Sequence, residues 1–369
     1  MTTTVDRSAP LSGVIVLDAT TALGEYTGRL LADLGAEVTR FGRPDHTDPH
    51  RRAFMNAGKQ IHPVASGDDA VAVSLGGADL LLTSEGPAAL RARGLHPADV
   101  TTAHPGLVHV SISPFGLTGP YADRPASDLT LLAAGGLLAL AGEPDREPVR
   151  AWGEQTAIIA GAHAAVAALI ALHVLETDGG GQIVDLSAQE AVAHSLENAA
   201  QYADLEGVVR RRGGAGPREA GTGLFRCEDG WIYLVGGLGG SPLAWADIVA
   251  WLVDGGIAEA AELGAAVWHD PQWRRSPEAG RRFRELFDEF AGRRDKSELF
   301  ASGQKRGISV APVATPDDLI NDPQLVARDY FRTVDIDGQE VTLPGPPYRF
   351  RTSDVGPRPT PHETNRSRS

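Results

Sequence analysis

The first forty residues limit the fold more than any other stretch of this chain. Val14–Leu17 is a short apolar run, followed by Asp18-Ala19-Thr20-Thr21 and then apolar residues at helical spacing from Tyr26 to Leu34. Gly35 stands where a helix closes on a left-handed residue, and Glu37–Phe41 reads as the next strand. Two strands joined through a crossover helix read as a parallel pair. Strand-like runs recur at Asp79–Leu82 and Leu107–Ser111 with helical pieces between them. The alternation predicts an α/β chain with a Rossmann-like, doubly wound parallel sheet.

Charge and motif content exclude several functions. The 369 residues carry 34 Lys and Arg against 48 Asp and Glu, a net charge of −14. Such a surface repels nucleic acid and anionic membrane, so an anionic ligand must be held by a local group of Arg. One cysteine, Cys227, allows no intrachain disulfide and reads as a small half-buried side chain rather than a reactive thiol. His46, His50 and His62 are scattered without zinc spacing, and no metal is expected. Asn56-Ala57-Gly58-Lys59 lacks the spacing and hydroxyl of a phosphate-binding loop, and no G-x-S-x-G elbow occurs. The first ten residues are polar, without the apolar core of a secretory leader. Ala157–Leu175 is apolar but contains His163 and His173, so it reads as a buried helix rather than a membrane span. A cytoplasmic protein without membrane or nucleic-acid partners is the expectation.

Composition shifts divide the chain. Residues 1–203 form the large domain, 204–222 a Gly- and Arg-rich linker, and 223–323 a smaller α+β domain. Residues 324–353 return to the large domain as a small antiparallel addition, and the polar 354–369 tail is expected to be disordered. Within the large domain, Gly179-Gly180-Gly181 turns into a strand at Ile183–Leu186, and Ser187 with Glu190 reads as a helix-capping box. In the smaller domain, a strand at Trp231–Val235 leads into the loop Gly236–Ser241. That loop is either an ordinary turn or a flap that lets backbone approach a ligand.

The densest pattern spans residues 108–153. A strand, Val108–Ser113, ends in Pro114-Phe115-Gly116, a Thr118-Gly119-Pro120 turn follows, and an Asp-led helix is predicted from Asp128 to Leu140. Similar segments recur at Gly181–Ser187 and at Arg306–Val313 through Asp322-Pro323. Together these resemble the class III CoA-transferases, the family of formyl-CoA transferase, carnitine CoA-transferase and α-methylacyl-CoA racemase, over most of the chain. The resemblance implies coenzyme A as substrate or product thioester, an acyl-CoA or carboxylate partner, and two interlocked chains. The two chains could be identical, or this chain could pair with a paralogue.

The resemblance also assigns residues. CoA contacts fall on Thr20, Ala22 and Leu23 in the first loop, on Arg43 after the second strand, on Asn56 and Lys59, and on Arg91. Glu25 in that first loop and the absence of an aromatic at Thr83-Ser84-Glu85 depart from the family's pattern. In the family an Asp four residues before the helix glycine attacks the thioester, giving an anhydride and then an aspartyl-CoA thioester. Aligned through Val149-Arg150 and Ala160-Gly161, that position is Ala157 here, and a methyl forms no anhydride. Glu154 is the nearest acid, read either as a replacement or as an ordinary helix N-terminal acid. His163 reads as an acid–base group or a packing histidine. Two functions follow: atypical chemistry through Glu154 or His163, or a non-catalytic acyl-CoA-binding or partner subunit. A scaffold turned to a CoA-free substrate is a third.

Overall fold

A computed structural model describes residues 9–42, 48–62, 68–214, 219–336 and 338–359. The chain divides into two compact units. One comprises residues 1–140, 150–210 and 323–369; the other comprises 141–149 and 211–322.

The first unit is built on six strands: β1 (Ile15–Asp18), β2 (Glu37–Phe41), β3 (Gln60–His62), β4 (Leu80–Thr83), β5 (Val108–Ser113) and β6 (Ile183–Ser187). They lie in the order β3-β2-β1-β4-β5-β6, all parallel, which is the doubly wound order. The order reverses direction between β1 and β4, and loops leaving these two strands diverge there to leave a crevice. Strands β4 and β5, both interior to the sheet, are buried at every residue, as strands covered on both faces are. His109 of β5 is fully buried, its Nε2 2.9 Å from Thr83 Oγ1. Burial, and then His96, push its pKa down to about 3, so it is neutral at pH 7.

Helix α1 (Glu25–Asp33) crosses from β1 to β2, and α2 (Pro49–Asn56) from β2 to β3. The helix predicted over Asp128–Leu140 is broken. It forms α3 (Asp128–Ala134) and a separate turn, Leu137–Leu140, because Gly136 takes φ +88°. The long helix α4 (Gln155–Asp178) is apolar and long enough to span a membrane by length and composition alone. Here its Ala160, Ala164, Ala168 and Ala171 are packed into the core against Val110 and Ile112 of β5. Gly161 makes the approach to α1 possible. A Cβ there would lie 2.9 Å from Tyr26 Cβ and 3.2 Å from the Thr27 backbone nitrogen.

The hairpin predicted near the end of the chain is present as β10 (Phe331–Ile336) and β11 (Gln339–Pro344), antiparallel and paired along their length. The expected disordered tail needs correcting over 354–359. Val355 and Gly356 are buried, and the Gly356 N–H donates to the Asp33 carbonyl at 2.8 Å. Residues 360–369 lie outside the described residues.

The second unit holds a three-stranded antiparallel sheet of β7 (Thr222–Cys227), β8 (Gly230–Val235) and β9 (Ser309–Pro312), in the order β9-β8-β7. Strand β7 begins at a residue the sequence assigned to the linker, and a helix, Ala199–Glu206, runs into that segment from the other side. Phe225, Trp245, Trp251, Phe283, Phe287 and Phe290 supply an aromatic core. The glycine-rich loop forms a two-residue ladder, Gly237–Leu238 with Ser241–Pro242. Glu219 Oε2 accepts the Gly240 N–H at 2.9 Å, and Arg275 donates to the Gly239 carbonyl. Leu238 at the tip is 73% exposed. Cys227 is buried with Sγ 3.4 Å from Asp229 Oδ1; burial and then Asp229 raise its pKa, which leaves it a poor nucleophile.

Candidate functional site

A cavity of about 680 Å³ opens at the carboxyl ends of β1, β4 and β5. Thr21, Ala22 and Leu23 enter it from the loop after β1, Ser84 to Gly86 from the loop after β4, and Pro114 from the end of β5. Opposite these loops, Asp128 of α3 and Glu154, Thr156 and Ala157 at the start of α4 complete the lining. This is the switch-point crevice of a doubly wound sheet, the usual ligand position in such folds.

A buried charge cluster fixes the loop after β1. Lys59 Nζ donates to Asp18 Oδ2 and to the Glu25 carbonyl, both at 2.8 Å. Arg40 reaches Asp18 Oδ1 at 3.3 Å and Glu25 Oε1 at 3.1 Å, and all four side chains are 3% exposed or less. Burial opposes the charge on Asp18, but Lys59 and Arg40 outweigh it and hold the carboxyl below its ordinary value. Burial is also the largest influence on Lys59, whose pKa is lowered although Asp18 opposes the shift. Asp18 Oδ1 in turn accepts the Thr20 hydroxyl at 2.6 Å and the Thr20 N–H at 3.1 Å. The next residue, Thr21, bonds through its N–H and hydroxyl to Ser84 Oγ, joining the loops after β1 and β4.

The cavity lining carries four carboxylates, Glu85, Asp123, Asp128 and Glu154, and one guanidinium, Arg124. Each acid is engaged. Glu85 pairs with Arg93 and Glu154 with Arg51, Asp123 Oδ1 accepts the Ala88 N–H at 2.7 Å, and Asp128 Oδ1 accepts the Thr156 N–H at 2.8 Å. Asp128 Oδ2 is buried without a hydrogen-bond partner. Glu25 does not face a ligand as its sequence position suggested, because it is fully buried against Arg40.

The structure distributes the sequence-derived candidates unevenly. Ala22, Leu23, Glu154 and Ala157 share the cavity. Thr20 and Lys59 are buried beneath it, with Lys59 engaged by Asp18 rather than turned to the lining. Asn56 borders a different cavity, of about 670 Å³, with Arg52 and the β10–β11 hairpin. Arg91 is exposed on the last turn of the Pro87–Ala92 helix. Arg43 lies outside the described residues. His163 is not in the cavity lining. Its Nδ1 is 2.9 Å from the Ile159 carbonyl and its ring meets His194 edge-on. No group of three or more metal-ligating side chains occurs among the described residues.

The profile of CoA-transferase family III matches residues 11–364, nearly the whole chain. The chain belongs to CoA-transferase family III. Succinyl-CoA:(R)-benzylsuccinate CoA-transferase subunit BbsE of Thauera aromatica is 38% identical over 359 residues, covering 91% of this chain and 87% of its own. The succinyl-CoA–L-malate CoA-transferase alpha subunit of Chloroflexus aurantiacus is 28% identical, covering 96% and 87%. Among solved structures, a CAIB/BAIF family protein from Brucella suis superposes with a TM-score of 0.82 at 24% identity, covering 94% of both chains. For this family III chain the parallel sheet and its switch-point cavity are features of the family's α/β fold. Arg124, Asp128, Thr156 and Ser84 were not singled out as site residues from sequence; Asp128 was legible only as the start of a helix.

Proposed function

We propose that this chain is one subunit of a CoA-transferase built from two homologous chains. Its cavity at the ends of β1, β4 and β5 receives a CoA thioester or its acyl acid, and the partner chain supplies the attacking carboxylate. The observation that carries this reading is Ala157. It lines the cavity, the family resemblance aligns it with the nucleophile of the pattern, and a methyl group cannot attack a thioester. Two relatives are named as subunits, which supports an assembly of unlike chains. The cytoplasm is the compartment expected for an enzyme using CoA thioesters.

The test is co-expression with an Asp-bearing homologue, followed by assay of CoA transfer from succinyl-CoA to a carboxylic acid. The chain alone should be inactive and the pair active. Robust transfer by the isolated chain would overturn the reading. A second reading rests on Glu154, which lines the same cavity beside Ala157 and would serve as the nucleophile itself. An acyl or CoA adduct trapped on Glu154 would establish it; Arg51, which already engages that carboxylate, speaks against it.

A further inference from the structure

The cavity beside Ala157 poses an electrostatic problem that one side chain answers. Of the four carboxylates in its lining, Glu85 and Glu154 are paired with Arg93 and Arg51, but Asp123 and Asp128 accept backbone N–H groups and repel the phosphates and carboxylates that a CoA-transferase substrate carries. Arg124 is the single cation in that lining. It makes no ion pair among the described residues, and its neighbour Asp123 is turned to the Ala88 N–H instead. The guanidinium carbon lies 4.2 Å above the Tyr121 ring. Phe115 braces that ring from the side, with ring centres 5.8 Å apart and planes at 72°. Tyr121 is itself 45% exposed.

A guanidinium lying over an aromatic ring leaves its planar set of N–H donors for other partners. Those donors form a planar fork matched to two oxygens of a phosphate or carboxylate. Stacking also limits the side chain's rotamers before ligand arrives, which lowers the entropy lost on binding.

We propose that Arg124, held by Tyr121 and Phe115, is the anion contact of this cavity. A phosphate or carboxylate oxygen of the substrate docks on its outer edge. The assignment rests on reading the cavity as the thioester site and names the group that lets an anion enter an acidic lining.

The full chain, with its partner subunit where one copurifies, is titrated with coenzyme A, with pantetheine (the same arm without phosphates) and with succinate. If a phosphate docks, Arg124→Gln weakens coenzyme A binding about 10- to 100-fold and leaves pantetheine unchanged, as loss of a charged hydrogen bond requires. If a carboxylate docks, succinate is weakened instead and coenzyme A is not. Tyr121→Leu keeps the charge but removes the brace, and falls between wild type and Arg124→Gln for the same ligand. Added salt weakens the affected ligand more in wild type than in Arg124→Gln. Unchanged affinity of Arg124→Gln for both anions, or equal loss for coenzyme A and pantetheine, overturns the assignment of Arg124 while the cavity reading stands. Failure of the wild-type protein to bind any of the three probes overturns both.

Discussion

The backbone N–H of Thr156 donates to Oδ1 of Asp128 at 2.8 Å, and the Thr156 hydroxyl donates to the Asp128 carbonyl at 3.1 Å. The first turn of α4, which carries Ala157, is thus capped by a residue from another helix. Side chains that satisfy such orphan N–H groups stabilise a protein by about 1 kcal/mol. Asp128→Ala should lower stability by about this amount, or a few degrees in Tm, measured by thermal unfolding. Asp128→Asn, which keeps an accepting oxygen, should recover most of the loss.

Restoring a carboxylate at position 157 tests the reading of the cavity directly. Ala157→Asp is expected to give the isolated chain a reactive acid if position 157 is, as proposed, the family's nucleophile position. Incubated with succinyl-CoA and hydroxylamine, the variant should gain a hydroxamate mass shift on the peptide containing residue 157, which wild type lacks. A shift mapped to Glu154 in both proteins would assign the chemistry to Glu154.

His109 should make stability fall in acid. Its pKa drops from 6.5 to about 3 on folding, so between those values the unfolded chain binds a proton that the folded chain does not. The contribution is therefore complete above pH 6.5 and is lost as pH falls, by up to about 1.4 kcal/mol per unit. His109→Gln retains a partner for Thr83 but removes the titration. Urea unfolding at pH 7 and pH 5 should show a smaller difference in the variant.

Lys59→Met should be among the most damaging substitutions remote from the ligand. It leaves Asp18, fully buried, with Arg40 as its only cationic partner among the described residues. Breaking a buried pair from one side costs roughly 3–5 kcal/mol. Because Asp18 also orients Thr20, coenzyme A affinity should fall with stability. The double change Asp18→Asn with Lys59→Met should recover part of the stability, as measured by denaturant midpoint.

The parallel sheet was legible because its strands are marked by local signals: apolar runs, a terminal glycine and helical spacing in between. Strands β1 and β2 fall within one residue of the expected positions. The site was less legible because the decisive contacts link residues distant in sequence. The resemblance gives Lys59 as a CoA contact, and only the fold reveals Asp18, 41 positions away, as its partner. Arg124 falls within the densest pattern of the sequence, but only the fold sets its guanidinium over Tyr121. Strand β7 was missed because Gly223 and Arg226 interrupt its apolar pattern.

Helix α4 and helix α1 touch through a glycine, and this places a geometric condition on any attempt to redesign the cavity. Even a methyl at position 161 would press on Tyr26 and move the front of α4 with it. A new carboxylate at 157 would then swing with that turn, so its reach is set one helical turn downstream of itself. Substitutions at 157 and 161 should therefore be non-additive, and an engineer seeking activity here must leave the glycine in place.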